Sequence, residues 1–393
     1  MKDNAFTRGI LPAMLMALSV GQIYAFTNFS SEISEKIGAS QQGVQLAFSL
    51  GIFFLGMGAA FFGRIVERNI KMSALIGTVL FIAGMSVTQL AVNYGSLWLL
   101  YAGYGVMLGL GTGIIYITPV KTMLLWMPKH KALASAVPIV FFGLGSTLST
   151  LLWKQFGETV GLDRIFLMYS AIYVVMMAIG GILLKKPKVE NQGTVDVDNG
   201  FRYSNLMREP FFLCSWLFMF LNISAGLCLI PLAKQMMLGD KVGYAVSVAM
   251  AFVAWSGLFN GGGRLVFAYA SDRLKTRIHI ILIIIGLSIA IVGGAWFYPF
   301  ATGVALLIIN ACYGAGFSVI PAILSDHFGM DNLSKIHGAV LSAWGVAGLV
   351  GNQLAIVANE RFGVPVMALV LAMHVLNLVN YFVMRKKSSQ NLI

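Results

Sequence analysis

Twelve stretches of about 20 mostly apolar residues, separated by short polar breaks, are what most limits the folds open to this 393-residue chain. They lie near 9–30, 42–63, 72–92, 96–125, 132–155, 164–184, 211–233, 243–270, 277–299, 301–325, 336–358 and 363–384. A stretch of that length reaches across a hydrocarbon layer about 30 Å thick when it is helical. In hydrocarbon every backbone N–H and C=O must be bonded within the protein, which leaves helices and closed barrels. A barrel would show short alternating strands and more polar residues, whereas this chain is 58% hydrophobic and only 11% charged. A water-solvated globule carries roughly a quarter of its residues as charges and is excluded as well. The 43 glycines suit helices that approach one another closely. The expected fold class is an all-α membrane protein with twelve transmembrane helices in two six-helix halves.

Twelve crossings put both termini on one side of the membrane, and the basic residues say which. Of the 27 Lys and Arg, 19 fall in the loops on the side of the termini and 6 in the opposite loops. The positive-inside rule then makes both termini cytoplasmic, in a multi-pass protein of the cell's inner (plasma) membrane. The net charge of +12 is mostly this topology signal and calls for no nucleic-acid partner. Two cations remain inside predicted spans, Lys121 and Arg264. The first apolar run is too long for the core of a cleavable signal. Cys214, Cys228 and Cys312 sit in apolar stretches without metal-ligand spacing and read as packing residues. The longest polar break, 185–210, reads as a cytoplasmic linker between an N-terminal bundle, 1–184, and a C-terminal bundle, 211–393.

The halves repeat one another. The loop after span two reads Gly63-Arg64-Ile65-Val66-Glu67-Arg68, and the loop after span eight reads Ala270-Ser271-Asp272-Arg273-Leu274-Lys275, with the acids 205 residues apart. Pro119 and Trp126 of span four match Pro321 and Phe328 of span ten at an offset of 202. Duplicated six-span halves suggest a transporter whose substrate sits near mid-membrane between them. The acidic-basic loops resemble the signature of the major facilitator superfamily. Gly21-Gln22-Ile23-Tyr24-Ala25-Phe26, the Gly109-to-Pro119 segment with Trp126-Met127-Pro128, Phe142-Gly143-Leu144-Gly145-Ser146 and Asn260-Gly261-Gly262-Gly263-Arg264 resemble, more narrowly, the oxalate:formate antiporter family and its monocarboxylate-transporter relatives.

Arg264 lies eight residues before Asp272, which places it roughly 12 Å up the helix from the loop and near the midplane. No Asp or Glu falls in the central part of a predicted span, so the sequence suggests an anionic substrate as the counter-charge, its carboxylate gripped by two prongs of the guanidinium. The alternative is an arginine held by helix carbonyls or by a water-filled cavity. In the resembling families an arginine at this place contacts the substrate carboxylate. Asn260, one turn earlier, stands where proton-coupled monocarboxylate transporters have Asp, and an amide can orient the guanidinium but carries no proton. The oxalate transporter has a lysine in span eleven where this chain reads Ser342-Ala343-Trp344-Gly345, so one deep cation points to a monoanion.

Tyr24, Tyr116 and Trp344 offer aromatic walls with hydrogen-bonding tips, and Asn222, Gln22 and Gln353 are further polar candidates. Each has packing as its plain alternative. Lys121 is expected near the cytoplasmic end, where it can snorkel to water, with substrate contact as the lesser reading. His337 reads as an interfacial histidine without a role. Gly63, Arg64, Glu67 and Arg68, with Ser271, Asp272 and Arg273, form a candidate conformational latch at the cytoplasmic ends, Glu67 pairing with its flanking arginines and Asp272 with Arg273; a plain topology anchor is the alternative. Glycines 261 to 263 read as points of close helix contact. Neither a Walker loop nor a metal-spaced cluster nor a nucleophile beside a base is present, so no enzyme activity and no cofactor is expected.

The function expected from the residues and the resemblance together is secondary transport of a small monocarboxylate such as formate, lactate or pyruvate. A counter-substrate or a proton is a possible companion, and the protein is expected to act as a monomer in the lipid bilayer. Efflux of larger amphipathic compounds would predict an intramembrane acid, and a non-transporting carboxylate sensor would need an output domain; the sequence offers neither.

Overall fold

The computed structural model describes residues 4–187, 201–229, 233–239 and 242–390. Twelve of its helices are long and apolar enough to cross a membrane: Phe6–Phe26, Gln41–Arg68, Ile70–Tyr94, Leu97–Trp126, Lys131–Val160, Ile165–Leu183, Pro210–Leu229, Val246–Arg273, His279–Phe297, Pro299–Phe328, Leu333–Gly351 and Val366–Ser388, called spans one to twelve below. The helix of span eleven continues to Phe362. No strand occurs among the described residues.

The ends of several helices are set by local chemistry. The Ser40 hydroxyl accepts the Gly43 N–H at the start of span two, and the Asn69 side chain accepts the N–H groups of Lys71 and Met72 at the start of span three. Gly95 closes span three in the left-handed region, at φ 67°. Span one tightens to a 3₁₀ helix over Gly21–Asn28, the stretch that carries Gln22 and Tyr24.

Two compact units make up the chain. The first contains residues 1–201 together with 328–345; the second contains 202–327 and 346–393. Residues 328–345, which run from the end of span ten into the first part of span eleven, therefore pack with spans one to six. Glycine accounts for this. A Cβ on Gly338 would lie 2.0 Å from the Ala59 carbonyl oxygen, one on Gly345 2.7 Å from that of Phe53, one on Gly56 2.7 Å from that of Leu341, and one on Gly63 2.6 Å from that of Ser334. Gly56 and Gly63, like Gly338 and Gly345, are two helical turns apart and share a face, so spans two and eleven meet backbone to backbone.

The duplication also appears in packing inside each unit. In the first, Gly58 abuts the backbone of Leu110 and Gly113 that of Leu55, joining spans two and four. In the second, Gly263 abuts Ala311 and Gly314 abuts Asn260, joining spans eight and ten in the same way. Gly263 thus has the close-contact role expected of it, whereas Cβ atoms on Gly261 and Gly262 would meet nothing within 4 Å, contrary to the expectation for those two. Cys214, Cys228 and Cys312 are buried free thiols.

Candidate functional site

In the first unit the aromatic candidates converge. Gly21 packs against the Phe142 carbonyl and Gly145 against that of Leu18, so spans one and five touch and bring Tyr24 within 5.4 Å of Phe142, centroid to centroid. Tyr116 of span four lies 5.3 Å from Phe142 and 5.5 Å from Trp344, and Trp344 lies 5.9 Å from Phe142 and 6.5 Å from Tyr24. Most of these contacts are edge-to-face, the arrangement favoured by ring quadrupoles. Phe142, Trp344 and Tyr116 are buried and Tyr24 is half-buried. Three of the four rings were singled out in the sequence. Phe142 was not, although it opens the glycine motif of span five; only the register of that motif against Gly21 makes it a wall. Gln22 is fully buried beside this group in sequence.

His337 corrects an expectation. Its ring is 3% exposed and lies 6.4 Å from that of Tyr116, so it is an interior residue rather than an interfacial one. The glycine contacts that draw span eleven onto span two carry it inward.

At the end of the first unit that faces the side of the termini, charges are tied together. Lys121, expected to snorkel, is buried and pairs with the Glu67 carboxylate at 3.0 Å, both side chains under a tenth exposed. It also donates to the Met330 carbonyl. Reaching water by its long stem is therefore ruled out: its charge is met by a carboxylate inside the protein. Glu67 further accepts the backbone N–H of Ser334 in the first turn of span eleven, where unsatisfied N–H groups and the helix dipole favour an anion. The Lys186 ammonium donates to the Glu67 carbonyl at 3.1 Å, at the last turn of span two, where a cation suits the carbonyl end of a helix. Burial holds Lys186 below the usual lysine pKa, with Glu67 opposing and Lys121 adding to the shift. Gly63, one helical turn before Glu67 on span two, is the point where the Ser334 carbonyl passes too close for any side chain. Lys335 is buried with its ammonium 4.8 Å from the centre of the Phe201 ring.

In the second unit, Arg264 is 5% exposed, with its guanidinium carbon 5.8 Å from the centre of the Phe317 ring. Gly314 brings the span-ten backbone against Asn260, and a Cβ there would also be 3.2 Å from Arg264 Cγ, so the arginine stem lies along the crossing of spans eight and ten. The Asn260 amide donates to the Asn310 carbonyl at 3.2 Å. Asn222 is buried and donates to the Cys312 carbonyl at 3.3 Å. Arg264, Asn260 and Asn222 therefore border one helix, span ten; Gln353, on the later part of span eleven, is exposed.

The second candidate latch differs from its expected pairing. Asp272 pairs with Arg277 at 3.2 Å, and Arg277 also pairs with Asp326 at the end of span ten. Arg273 instead sets its guanidinium 3.8 Å over the Tyr269 ring. A side chain one residue on from Asp272 points around the helix, while the chain's turn after Leu274 returns Arg277 to the carboxylate. Ser271 is fully buried.

A family model described as the Major Facilitator Superfamily matches residues 12–352. The chain belongs to that superfamily. It is a multi-pass membrane protein of a transporter family. It is 30% identical over 357 residues to an uncharacterised transporter of the superfamily, YhjX of Escherichia coli K12, covering 86% of this chain and 85% of that one. It is 24% identical over 365 residues to the oxalate:formate antiporter of Oxalobacter formigenes, covering 90% and 85%. Among solved structures it resembles the fucose:proton symporter of E. coli, with a TM-score of 0.71 at 14% identity, covering 96% and 97%. That last likeness bears on fold alone.

Proposed function

We propose that this superfamily member transports a small monocarboxylate across the inner membrane by alternating access, with both termini cytoplasmic. The observation that carries the reading is Arg264, a full positive charge buried in the interior of span eight, while the acids of the spans, Glu67, Glu158, Asp272 and Asp326, stand at span ends. A guanidinium binds a carboxylate through two parallel hydrogen bonds, and burial strengthens both. Asn260 and Asn222 supply neutral amides for orientation within the second unit, and the first unit has its own aromatic group of Tyr24, Tyr116, Phe142 and Trp344. A monoanion balances the one deep cation, whereas a dianion leaves a charge over. The tie among Glu67, Lys121 and Ser334 holds the cytoplasmic ends of spans two, four and eleven, and its release accompanies opening toward the cytoplasm.

The test is counterflow in proteoliposomes against a panel of labelled acids. Exchange of radiolabelled lactate, pyruvate or formate supports the reading, and a protein that exchanges none of them overturns it. The relation to an oxalate:formate antiporter favours a second reading, exchange of oxalate for formate, which oxalate in the same panel distinguishes.

A further inference from the structure

We propose that the first unit carries a second binding site, at its end away from the N-terminus, for a primary ammonium group attached to an apolar body. The site is independent of the carboxylate reading and uses none of its residues.

A cavity of about 570 Å³ opens between the segment that follows span one and the last turns of span five. Small-molecule sites have volumes on the order of 300–1,000 Å³, so the space suits a ligand of that kind. Two bridges join the segments that wall it. The Asn28 amide nitrogen donates to the Thr150 hydroxyl at 2.7 Å, and the Lys36 ammonium pairs with Asp163 at 2.8 Å. The walls are therefore held in place by the fold of one unit. Gly157 shapes the span-five wall. A Cβ there would lie 2.9 Å from the Trp153 ring, so the bare glycine lets the half-buried indole lie over that turn of the helix and line the cavity. Phe29 holds the indole edge-to-face at 5.0 Å.

The polar lining is rich in acceptors. Glu32 stands on one wall and Glu158 on the other, and Asn28 keeps its amide oxygen to accept with once its nitrogen is bonded to Thr150. Lys154 is the lining's charged donor, and two carboxylates against one ammonium leave one net negative charge. Among the described residues no ion pair engages Glu32, Lys154 or Glu158. Lys154 and Glu158 are one helical turn apart on the same face, where opposite charges offset each other, so the charge left over is that of Glu32. Partial burial first, and Glu35 second, hold the Glu32 carboxyl above the usual carboxylate pKa, and a cation beside it relieves both effects.

The ligand chemistry follows. A primary ammonium brings a positive charge for Glu32 and several N–H donors for the acceptors, and a cation near an indole face gains from the ring quadrupole. An alkyl or aryl body covers the rest of the indole. An anion meets two carboxylates instead, and a neutral alcohol leaves the Glu32 charge unmatched. Two sources supply the ammonium: a free amine in the surrounding water, and the ethanolamine headgroup of a lipid.

The experiment uses the full-length protein in a maltoside detergent, which contains no amine, with radiolabelled phenethylamine as the probe and equilibrium binding as the readout. The wild type is expected to bind saturably, with butylamine competing and neither phenethyl alcohol nor phenylpropionate doing so. Glu32→Gln is expected to weaken binding about tenfold and Trp153→Leu about fivefold. Lys154→Met is expected to strengthen it several-fold, a change of sign that a misfolded variant cannot give. Phosphatidylethanolamine that lowers amine binding, where phosphatidylglycerol does not, assigns the site to a lipid headgroup; binding indifferent to both assigns it to a free amine. Absence of saturable binding overturns the proposal, as does competition by phenylpropionate equal to that by butylamine. Wild-type affinity in Glu32→Gln or Trp153→Leu overturns it too, and so does weaker binding by Lys154→Met.

Discussion

The first compact unit buries Lys121 and Lys335 near the ends of their spans, the second buries Arg264 in the interior of one, and Lys121 and Arg264 are treated in opposite ways. Lys121 of the first unit sits near the end of its span and is met by Glu67, whose carboxylate also binds the first turn of span eleven. Arg264 of the second unit sits in the interior of its span, beside the Phe317 ring and along a glycine crossing of two helices. Conversely, the middle of the first unit is filled by four aromatic rings, and the end of the second carries a looser chain of Asp272, Arg277 and Asp326, the last 37% exposed. The same helices recur in both units, but the charges differ: one cation meets a carboxylate inside its own unit, and the other is the residue proposed to meet the substrate. The loops teach the same thing: the acid is repeated, but its partner is a span-four lysine in one copy and an arginine five residues on in the other.

The sharpest way to break this contrast is to remove the cations. Arg264→Ala is expected to abolish counterflow while leaving a folded, monodisperse protein. Two charge-assisted hydrogen bonds at about 1.5–3 kcal/mol each amount to a loss of a hundredfold or more. Arg264→Lys is expected to be badly impaired too, because a point charge cannot hold both carboxylate oxygens. Near wild-type exchange by the alanine variant would remove Arg264 from the site.

Glu67→Gln is expected to act on stability first. It strands a buried ammonium, which costs about 3–5 kcal/mol when the partner is removed alone. Adding Lys121→Met is expected to recover most of the loss, and thermal unfolding in detergent reads both. A Glu67→Gln protein as stable as the wild type would show that Lys121 finds its counter-charge elsewhere.

Charge selectivity comes next. With one cation for the substrate, an uncompensated second negative charge costs several kcal/mol, so monocarboxylates are expected to outcompete oxalate by at least about a hundredfold. Trp344→Lys is expected to narrow that gap. Equal competition by oxalate and lactate in the wild type would mean that a second cation reaches the substrate.

The smallest effect is expected at the looser end. Asp272→Asn loses a pair whose arginine is partly exposed, worth about 1 kcal/mol. It should slow turnover several-fold while leaving substrate affinity unchanged. Weakened affinity with normal turnover would assign Asp272 to binding rather than to the conformational cycle.

The spans were legible in the sequence because length and apolarity are local properties and hydrocarbon admits few alternatives. Arg264 was legible for the same reason, as a charge far from a span's end. Tyr24, Tyr116 and Trp344 were nominated one by one from the spans that carry them, and their convergence depended on glycine contacts that no spacing reveals; Phe142 was missed on that account. The Lys121 to Glu67 pair joins residues 54 apart with no shared pattern. His337 was misplaced because polar neighbours at the start of span eleven suggest an interface, whereas Gly338 and Gly345 fix that segment against span two. Arg277 was passed over in favour of Arg273 because adjacency in sequence is a poor guide to which side chain returns to a carboxylate after a turn.

The first compact unit is discontinuous in the chain, since it takes residues 328–345 after the second unit has begun at 202. During synthesis, therefore, the ribosome releases spans one to six well before the piece that satisfies the Glu67 carboxylate and lies against Gly56 and Gly63 has been made. Until then that face of span two is open to lipid or to a chaperone. A gene divided in the linker would give two fragments of which the first lacks part of its own packing and the second carries it, so their assembly resembles the complementation of a missing element more than the docking of finished domains.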